Sequence, residues 1–328
     1  MDERLSGIGE RAVAGEGATP EEASWLEVAP FEELLFWAGR ARRARFGNRV
    51  SLCGIVNARS GLCGEDCRFC AQSARYATGV KTYPLLEPGA ILAAAEEAHR
   101  NGASCFGIVT SGAAPKAADL AAVARAVRRI KQKLPVEVSA SLGRLDATSL
   151  TLLREAGLDR YHHNLETSER FFPSLCSTHT HAERAATVRA AGAAGLRVCS
   201  GGLLGAGEAW QDRVSLAMAL RGLRVESVPL NFLHPVPGTP LAGTKPLPPR
   251  EILRIIALFR LALPAQEIRV CGGRGVALRD LQALIFQAGA SGMMVGNYLT
   301  TPGRAVEEDL RMLSDLGLEW QAGCGSIS

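Results

Sequence analysis

No run of this 328-residue chain is apolar for long enough to cross a membrane. No dense Lys/Arg tract with interleaved aromatics occurs, and the formal charge is only +4, so a nucleic-acid surface is not expected. The first residues are acidic and polar (Asp2, Glu3, Glu10) and lack the pattern of a secretory signal. These absences predict a cytoplasmic protein with neither membrane nor nucleic acid as partner. Without export there is no oxidising compartment, and nine cysteines cannot all pair. Reduced thiols serving metal or redox chemistry are the expectation. No G-x-G-x-x-G and no H-E-x-x-H is present, which removes the usual dinucleotide and zinc-protease signatures. There is also no linker, low-complexity tract or internal repeat.

What is present is an ordinary globular composition, nearly half hydrophobic and about a fifth charged. Residues 20–48 carry helix-like periodicity through Trp25, Leu26, Leu34, Leu35 and Trp37, and read as a helical extension covering one end of the domain. Beyond it, eight short β-rich runs alternate with Ala-rich amphipathic helices. The strand candidates are 50–56, 104–109, 136–141, 160–165, 197–200, 227–232, 267–271 and 292–295. The helix candidates are 91–100, 120–133, 147–156, 182–194, 211–221, 250–261 and 278–288. Several helices run into Gly and then a strand, at Gly102, Gly157, Gly195 and Gly289, as left-handed caps do. This alternation predicts a (β/α)8 TIM barrel with an N-terminal helical extension, rather than an open doubly wound sheet. The expected division is 1–48 extension, 49–318 barrel and 319–328 C-terminal tail.

The chemistry starts at Cys63-Gly-Glu-Asp-Cys67-Arg-Phe-Cys70. A C-x3-C-x2-C run can hold three irons of a [4Fe–4S] cluster and leaves the fourth iron open to a substrate or cofactor. The run follows the first strand, on the face where such barrels place their chemistry. Cys53, Cys105, Cys199 and Cys271 fall in the first, second, fifth and seventh strands, and Arg269 shares a face with Cys271. Each cysteine alone reads as a small buried hydrophobe; four in one barrel, beside a cluster motif, point to a second metal site. Cys176 and Cys324 read as surface or packing thiols. His179 and His181 read as loop residues without a zinc pattern, and His162 as a pocket residue. The glycines of 201–207 would let backbone approach a ligand.

The motif after the first strand resembles that of radical S-adenosylmethionine enzymes. More narrowly, residues 30–318 resemble the biotin synthase family, through segments 57–73, 161–167, 198–202, 227–231, 238–241, 268–274 and 299–302. The resemblance implies that Cys63, Cys67 and Cys70 ligate a [4Fe–4S] cluster, whose open iron binds S-adenosyl-L-methionine. It implies reductive cleavage to a 5′-deoxyadenosyl radical, hydrogen abstraction from dethiobiotin, and closure of the ring by sulfur from an auxiliary iron–sulfur cluster. The alternative is a relative acting on another small substrate without sulfur insertion.

By resemblance, Asn164 contacts both S-adenosylmethionine and substrate, Glu166 meets the ribose hydroxyls and Arg184 lies near the cofactor. Asn231, Thr300 and Thr301 are the further substrate contacts. An electron donor such as flavodoxin or ferredoxin, cluster-assembly proteins and a homodimer are implied in the same way. The best-known members hold a [2Fe–2S] cluster with three cysteines and an arginine. Cys105, Cys199 and Arg269 match, but Ser139 stands at the third cysteine position, and Cys53 and Cys271 replace serines. A serine hydroxyl is a poor iron ligand beside a thiolate. The altered set implies a rebuilt auxiliary cluster, a four-iron type carrying an extra sulfide, held by Cys53, Cys105, Cys199 and Cys271.

Overall fold

The structure, a computed structural model, describes residues 2–320. Its elements in chain order are α1 (Glu3–Val13), α2 (Pro20–Trp25), α3 (Phe31–Phe46), β1 (Arg49–Arg59), α4 (Pro88–Arg100), β2 (Cys105–Thr110), α5 (Ala117–Lys133), β3 (Glu137–Ser141), α6 (Ala147–Glu155) and β4 (Arg160–His162). Then follow α7 (His181–Ala193), β5 (Arg197–Cys199), β6 (Gly202–Leu204), α8 (Trp210–Gly222), β7 (Ser227–Phe232), α9 (Pro249–Ala262), β8 (Glu267–Val270), α10 (Arg274–Leu278), β9 (Gly292–Met294), α11 (Val306–Asp315) and β10 (Glu319–Trp320).

The parallel order β1-β2-β3-β4-β5-β7-β8-β9 closes through β9 pairing with β1, giving an eight-stranded barrel. All eight expected strands are found. The fifth is interrupted at Ser200–Gly201 and resumes as β6, which pairs with β7. Gly201 and Gly202 explain the interruption. A Cβ at Gly201 would lie 1.9 Å from the Pro229 carbonyl oxygen, and one at Gly202 would lie 2.3 Å from that of Glu166. These glycines serve close backbone packing between neighbouring strands, whereas the sequence suggested approach to a ligand.

Local signals account for the helix ends. Asp2 and Asp146 cap α1 and α6, and Thr19 and Thr180 form capping boxes with Glu22 and Glu183 at α2 and α7. Gly102, Gly157, Gly195 and Gly289 all have positive φ, as expected of left-handed caps. One expectation needs correction and two gain detail. The stretch 20–48 holds two helices, α2 and α3, and α1 precedes them within the 1–48 extension. The expected helix 278–288 is instead α10 followed by a 3-10 segment at Arg279–Ile285. Glu319 and Trp320, assigned to the tail, pair with Arg49 and Val50 of β1. The rest of that tail, Cys324 included, lies outside the described residues.

The barrel strands bury apolar side chains on their outer face. Leu52, Phe106, Ile108, Val138, Tyr161, Val228, Ile268 and Met293 are all buried there against the helices. The alternate, inward positions carry the charged, polar and sulfur-bearing residues together with a few apolar ones such as Ile55, Val109 and Pro229, because successive residues of a strand face opposite ways. At the start of the strands this inward set forms an ionic floor. Arg160 bridges Glu137 at 3.0 Å and Glu267 at 2.9 Å, and Arg269 pairs with Glu267 at 2.8 Å. Arg197 reaches Glu137 at 2.7 Å.

A buried charge left without its partner typically costs about 3–5 kcal/mol. Arg160→Leu removes one of two partners from each glutamate, leaving Arg197 on Glu137 and Arg269 on Glu267. It is therefore expected to destabilise the cluster-free chain by less than that, about 1–3 kcal/mol. Arg160→Lys should recover part of the loss. Anaerobic denaturant unfolding of the three proteins measures this.

Candidate active site at the C-terminal mouth of the barrel

The barrel encloses a cavity of about 300 Å³. Its wall includes Cys53, Cys199, Cys271 and Arg269 toward the floor, Cys70 and Glu166 toward the mouth, and Thr300 and Thr301 from the loop after β9. Among the described residues all eight cysteines carry free thiols.

The interior thiols stand on the ionic floor. Cys53 and Cys105 are direct neighbours across β1 and β2, and Cys199 sits between His162 and Ser227 in register. Cys271 lies one residue beyond β8 and still donates its N–H to the Leu230 carbonyl at 2.9 Å. A hydrogen bond from Cys53, aided by Arg269 and Arg160, lowers Cys105 to about 6 and raises Cys53 in return. Burial pushes Cys271 up to about 12 and raises Cys199. Arg269 and Arg160 each keep a buried Nε–H without a protein acceptor. Several thiols, two guanidiniums with unused donors and no disulfide form a donor set suited to a buried anionic iron–sulfur cluster. Ser139 lines the same cavity, with its hydroxyl directed weakly at the Phe106 carbonyl, 3.4 Å away.

At the mouth, residues 60–87 leave β1 and carry the C-x3-C-x2-C run. Cys70 reaches the cavity wall, and burial raises its thiol to about 11. Cys63 and Cys67 lie on the same loop, half-buried and behind that wall. Gln72 steadies the loop: its Oε1 accepts from Asn57 Nδ2 and from the Gly61 N–H, each at 3.2 Å.

Beside the loop, Glu166 adopts a left-handed backbone, φ +70°, that directs its side chain into the cavity. Burial raises its carboxyl above the usual range, opposed by Arg184 at 3.1 Å. Arg184 also donates to the Asn164 carbonyl at 2.5 Å and meets His179 Nε2 at 2.8 Å. Asn164 Oδ1 lies 2.8 Å from His162 Nε2 and accepts the Gly201 N–H at 3.1 Å. Asn164 and Arg184 thus stand one layer behind the wall and hold Glu166. Asn231 does reach the wall, fixed by the Gly272 N–H at 2.9 Å and the Gly202 carbonyl at 3.3 Å. His162 lines the cavity as expected.

His181 opens α7 and is not a loop residue, whereas His179 does lie on a loop and Cys176 is a packing thiol, both of them buried. His179 is buried: it lies 2.8 Å from Glu65 Oε2, and hydrogen bonds to Cys176 and Glu65 outweigh its burial and raise its pKa. Cys176 is no surface thiol. It is 4% exposed, and its ligand atom lies with those of Cys67 and His179 inside a 4.8 Å cluster. The ionic floor of Glu137, Arg160 and Glu267 was also missed. Charged residues recurring at the inward positions of otherwise apolar strands were the available signal.

Comparison with known proteins agrees with this geometry. The Radical SAM superfamily profile matches residues 59–220, and that of the Biotin and Thiamin Synthesis associated domain matches residues 229–319. The biotin synthase of Geobacter metallireducens is 50% identical over 322 residues, covering 97% of this chain and 98% of its own. That of Trichlorobacter lovleyi is 53% identical over 294 residues, covering 89% of this chain and 88% of its own. The chain belongs to the biotin synthase family. It is therefore an enzyme of a family that uses a [4Fe–4S] cluster and S-adenosylmethionine. The fold recurs more widely. Methylornithine synthase superposes with a TM-score of 0.80 at 22% identity, covering 95% of this chain and 96% of that one. A FeFe-hydrogenase maturase from Carboxydothermus hydrogenoformans gives 0.82 at 17% identity, covering 96% and 79%.

Behind the site, His163 is buried against Tyr161, its Nε2 has no partner, and burial holds its pKa well below the ordinary value. Below a pH of about 6.5 the unfolded chain takes up a proton that the folded chain refuses, so stability falls with falling pH. His163→Gln is expected to flatten that fall by about 1.4 kcal/mol per pH unit. Thermal or denaturant melts between neutral and acid pH measure it.

Proposed function

We propose that this chain closes the sulfur ring of biotin, taking dethiobiotin as substrate, with Cys63, Cys67 and Cys70 as the [4Fe–4S] ligands. The observation that carries the reading is the stack within one barrel: an ionic floor, interior thiols above it, and a C-x3-C-x2-C loop at the mouth. Bound at that loop, a [4Fe–4S] cluster and S-adenosyl-L-methionine supply a carbon-centred radical able to take hydrogen from unactivated C–H bonds. The chain's own residues do the positioning. Glu166, held by Arg184 and Asn164, offers a carboxylate to the ribose hydroxyls, and Asn164, to which the resemblance gives contacts with cofactor and substrate, would reach them from one layer behind the wall. Asn231, Thr300 and Thr301 supply polar contacts to dethiobiotin. The enclosed wall keeps competing hydrogen donors away from the reacting carbons.

Cys53, Cys105, Cys199 and Cys271 would hold the auxiliary cluster, and Arg269 would face it with its unused Nε–H. Four thiols with Ser139 among them favour a larger, sulfide-donating cluster over the [2Fe–2S] type. The reading also comprises a helical extension over 1–48, a barrel over 49–318 and a tail over 319–328. It further comprises a homodimer in the cytoplasm, an electron donor such as flavodoxin or ferredoxin, and cluster-assembly proteins as partners. Ser139 at a ligand position is the observation favouring the second reading, a relative that acts on another small substrate without inserting sulfur.

Anaerobic incubation with a reductant, S-adenosylmethionine and dethiobiotin should yield biotin and 5′-deoxyadenosine together. Deoxyadenosine without biotin would support the second reading. Iron and acid-labile sulfide should persist in Cys63→Ala, held at the interior thiols, and fall sharply when Cys53→Ala and Cys271→Ala are added. Complete loss of iron in Cys63→Ala alone would remove the auxiliary cluster.

A further inference from the structure

Cys176 has no part in the chemistry above, yet it is held against a residue that does. Its Sγ lies 3.8 Å from Cys67 Sγ, on a different loop 109 residues away in sequence. The two loops are clamped on both sides of this pair. On one side Asp66 Oδ1 accepts the Ser177 N–H at 2.9 Å and the Thr178 N–H at 3.1 Å. On the other the Arg68 N–H donates to the Leu175 carbonyl at 2.9 Å. The neighbours of Cys67 are thus bonded to the neighbours of Cys176, so the two cysteines face each other across a fixed gap.

The surroundings suit a reactive sulfur pair. Cys176 lies 3.3 Å from His179 Nδ1, and His179 meets Glu65 at 2.8 Å and Arg184 at 2.8 Å. Cys67 is the more accessible sulfur and Cys176 the buried one. An accessible thiol poised against a buried neighbour is the arrangement in which a first oxidation is resolved as a disulfide.

We propose that Cys67 and Cys176 form a reversible disulfide in the cluster-free chain, which protects Cys67 from irreversible oxidation and keeps it out of the cluster until reduced. The oxidant is a peroxide. Cys67 gives up its proton as its sulfur attacks one peroxide oxygen, the O–O bond breaks, and one water leaves with Cys67 as a sulfenic acid. The Cys176 sulfur then attacks Cys67 sulfur, the S–O bond breaks, and a second water leaves. The two thiols lose two electrons, and hydrogen peroxide is reduced to two waters. A dithiol reverses the bond by exchange. The protective consequence rests on reading Cys67 as a cluster ligand; the disulfide itself does not.

The test uses the full chain stripped of iron under anaerobic conditions and treated with one equivalent of hydrogen peroxide. Trypsin separates Cys67, in peptide 60–68, from Cys70, in 69–75, and from Cys176, in 171–184. Non-reducing mass spectrometry should find 60–68 joined to 171–184 as the main cross-link. The link should persist in Cys63→Ser and vanish in Cys67→Ala. Cross-links of Cys67 mainly to Cys63 or Cys70 would overturn the proposal. In the second arm, protein treated with several equivalents of hydrogen peroxide, enough to carry an unresolved sulfenic acid on to the sulfinic acid, is reduced with dithiothreitol and reconstituted with iron and sulfide. Wild type should regain its full cluster absorbance. Cys176→Ser, with circular dichroism unchanged, should regain several-fold less and show Cys67 as sulfinic acid. Equal recovery by both proteins would overturn the protective role. If Cys67→Ala still assembles all the iron of the wild type, the cluster reading fails while the cross-link result stands.

Discussion

Everything in this molecule depends on how the barrel disposes of charge at its floor. A closed parallel sheet has two faces, and here the outer one takes the hydrophobic load against the helices. The inner face is left free for polar groups, which can be buried only if they satisfy one another. Arg160 and Arg269 do so with Glu137 and Glu267. Once that network is in place, guanidinium N–H groups remain directed at the space above, and thiols gathered there sit in a positive field. The cavity exists because its floor is made of long paired side chains, whereas bulky aliphatics would have filled it.

The mouth is organised on a similar principle at smaller scale. Arg184 holds Glu166, the Asn164 carbonyl and His179 at once, and so ties the loop after β4 to the first turn of α7. Glu166 needs this support because its backbone is left-handed and its carboxyl is desolvated. Glu65 and Asp66 extend the same network into the cysteine loop. The residues that hold the chemistry are therefore mechanically linked, although they come from separate strands and loops.

The alternation of strands and helices, the four glycine caps, the C-x3-C-x2-C loop and the family were legible in the sequence. Each rests on local spacing or on an ordered set of motifs. That Arg269 and Cys271 share a face was also legible, since a strand's period of two follows from backbone geometry alone, but that this face and those of Cys53 and Cys199 point inward came from the closed barrel. The broken helix after β8 was not, because Arg274–Ile285 has helix-compatible residues whose path is set by packing against α9. The interruption between β5 and β6 was hidden for a related reason: it depends on which carbonyls lie opposite Gly201 and Gly202.

The sequence by itself determined the barrel, the cysteine loop on its catalytic face and the family to which the chain belongs, because these follow from periodicities and motifs a few residues long. The tertiary structure alone decided which charges neutralise one another at the floor and that Asn164 and Arg184 stand behind Glu166. It also decided that Cys176 and His179 are buried beside Cys67. The decisive pairings join separate elements, Arg160 to Glu267 across 107 positions and Cys67 to Cys176 across 109. Their distances are set by strand register and loop closure, which no local pattern encodes.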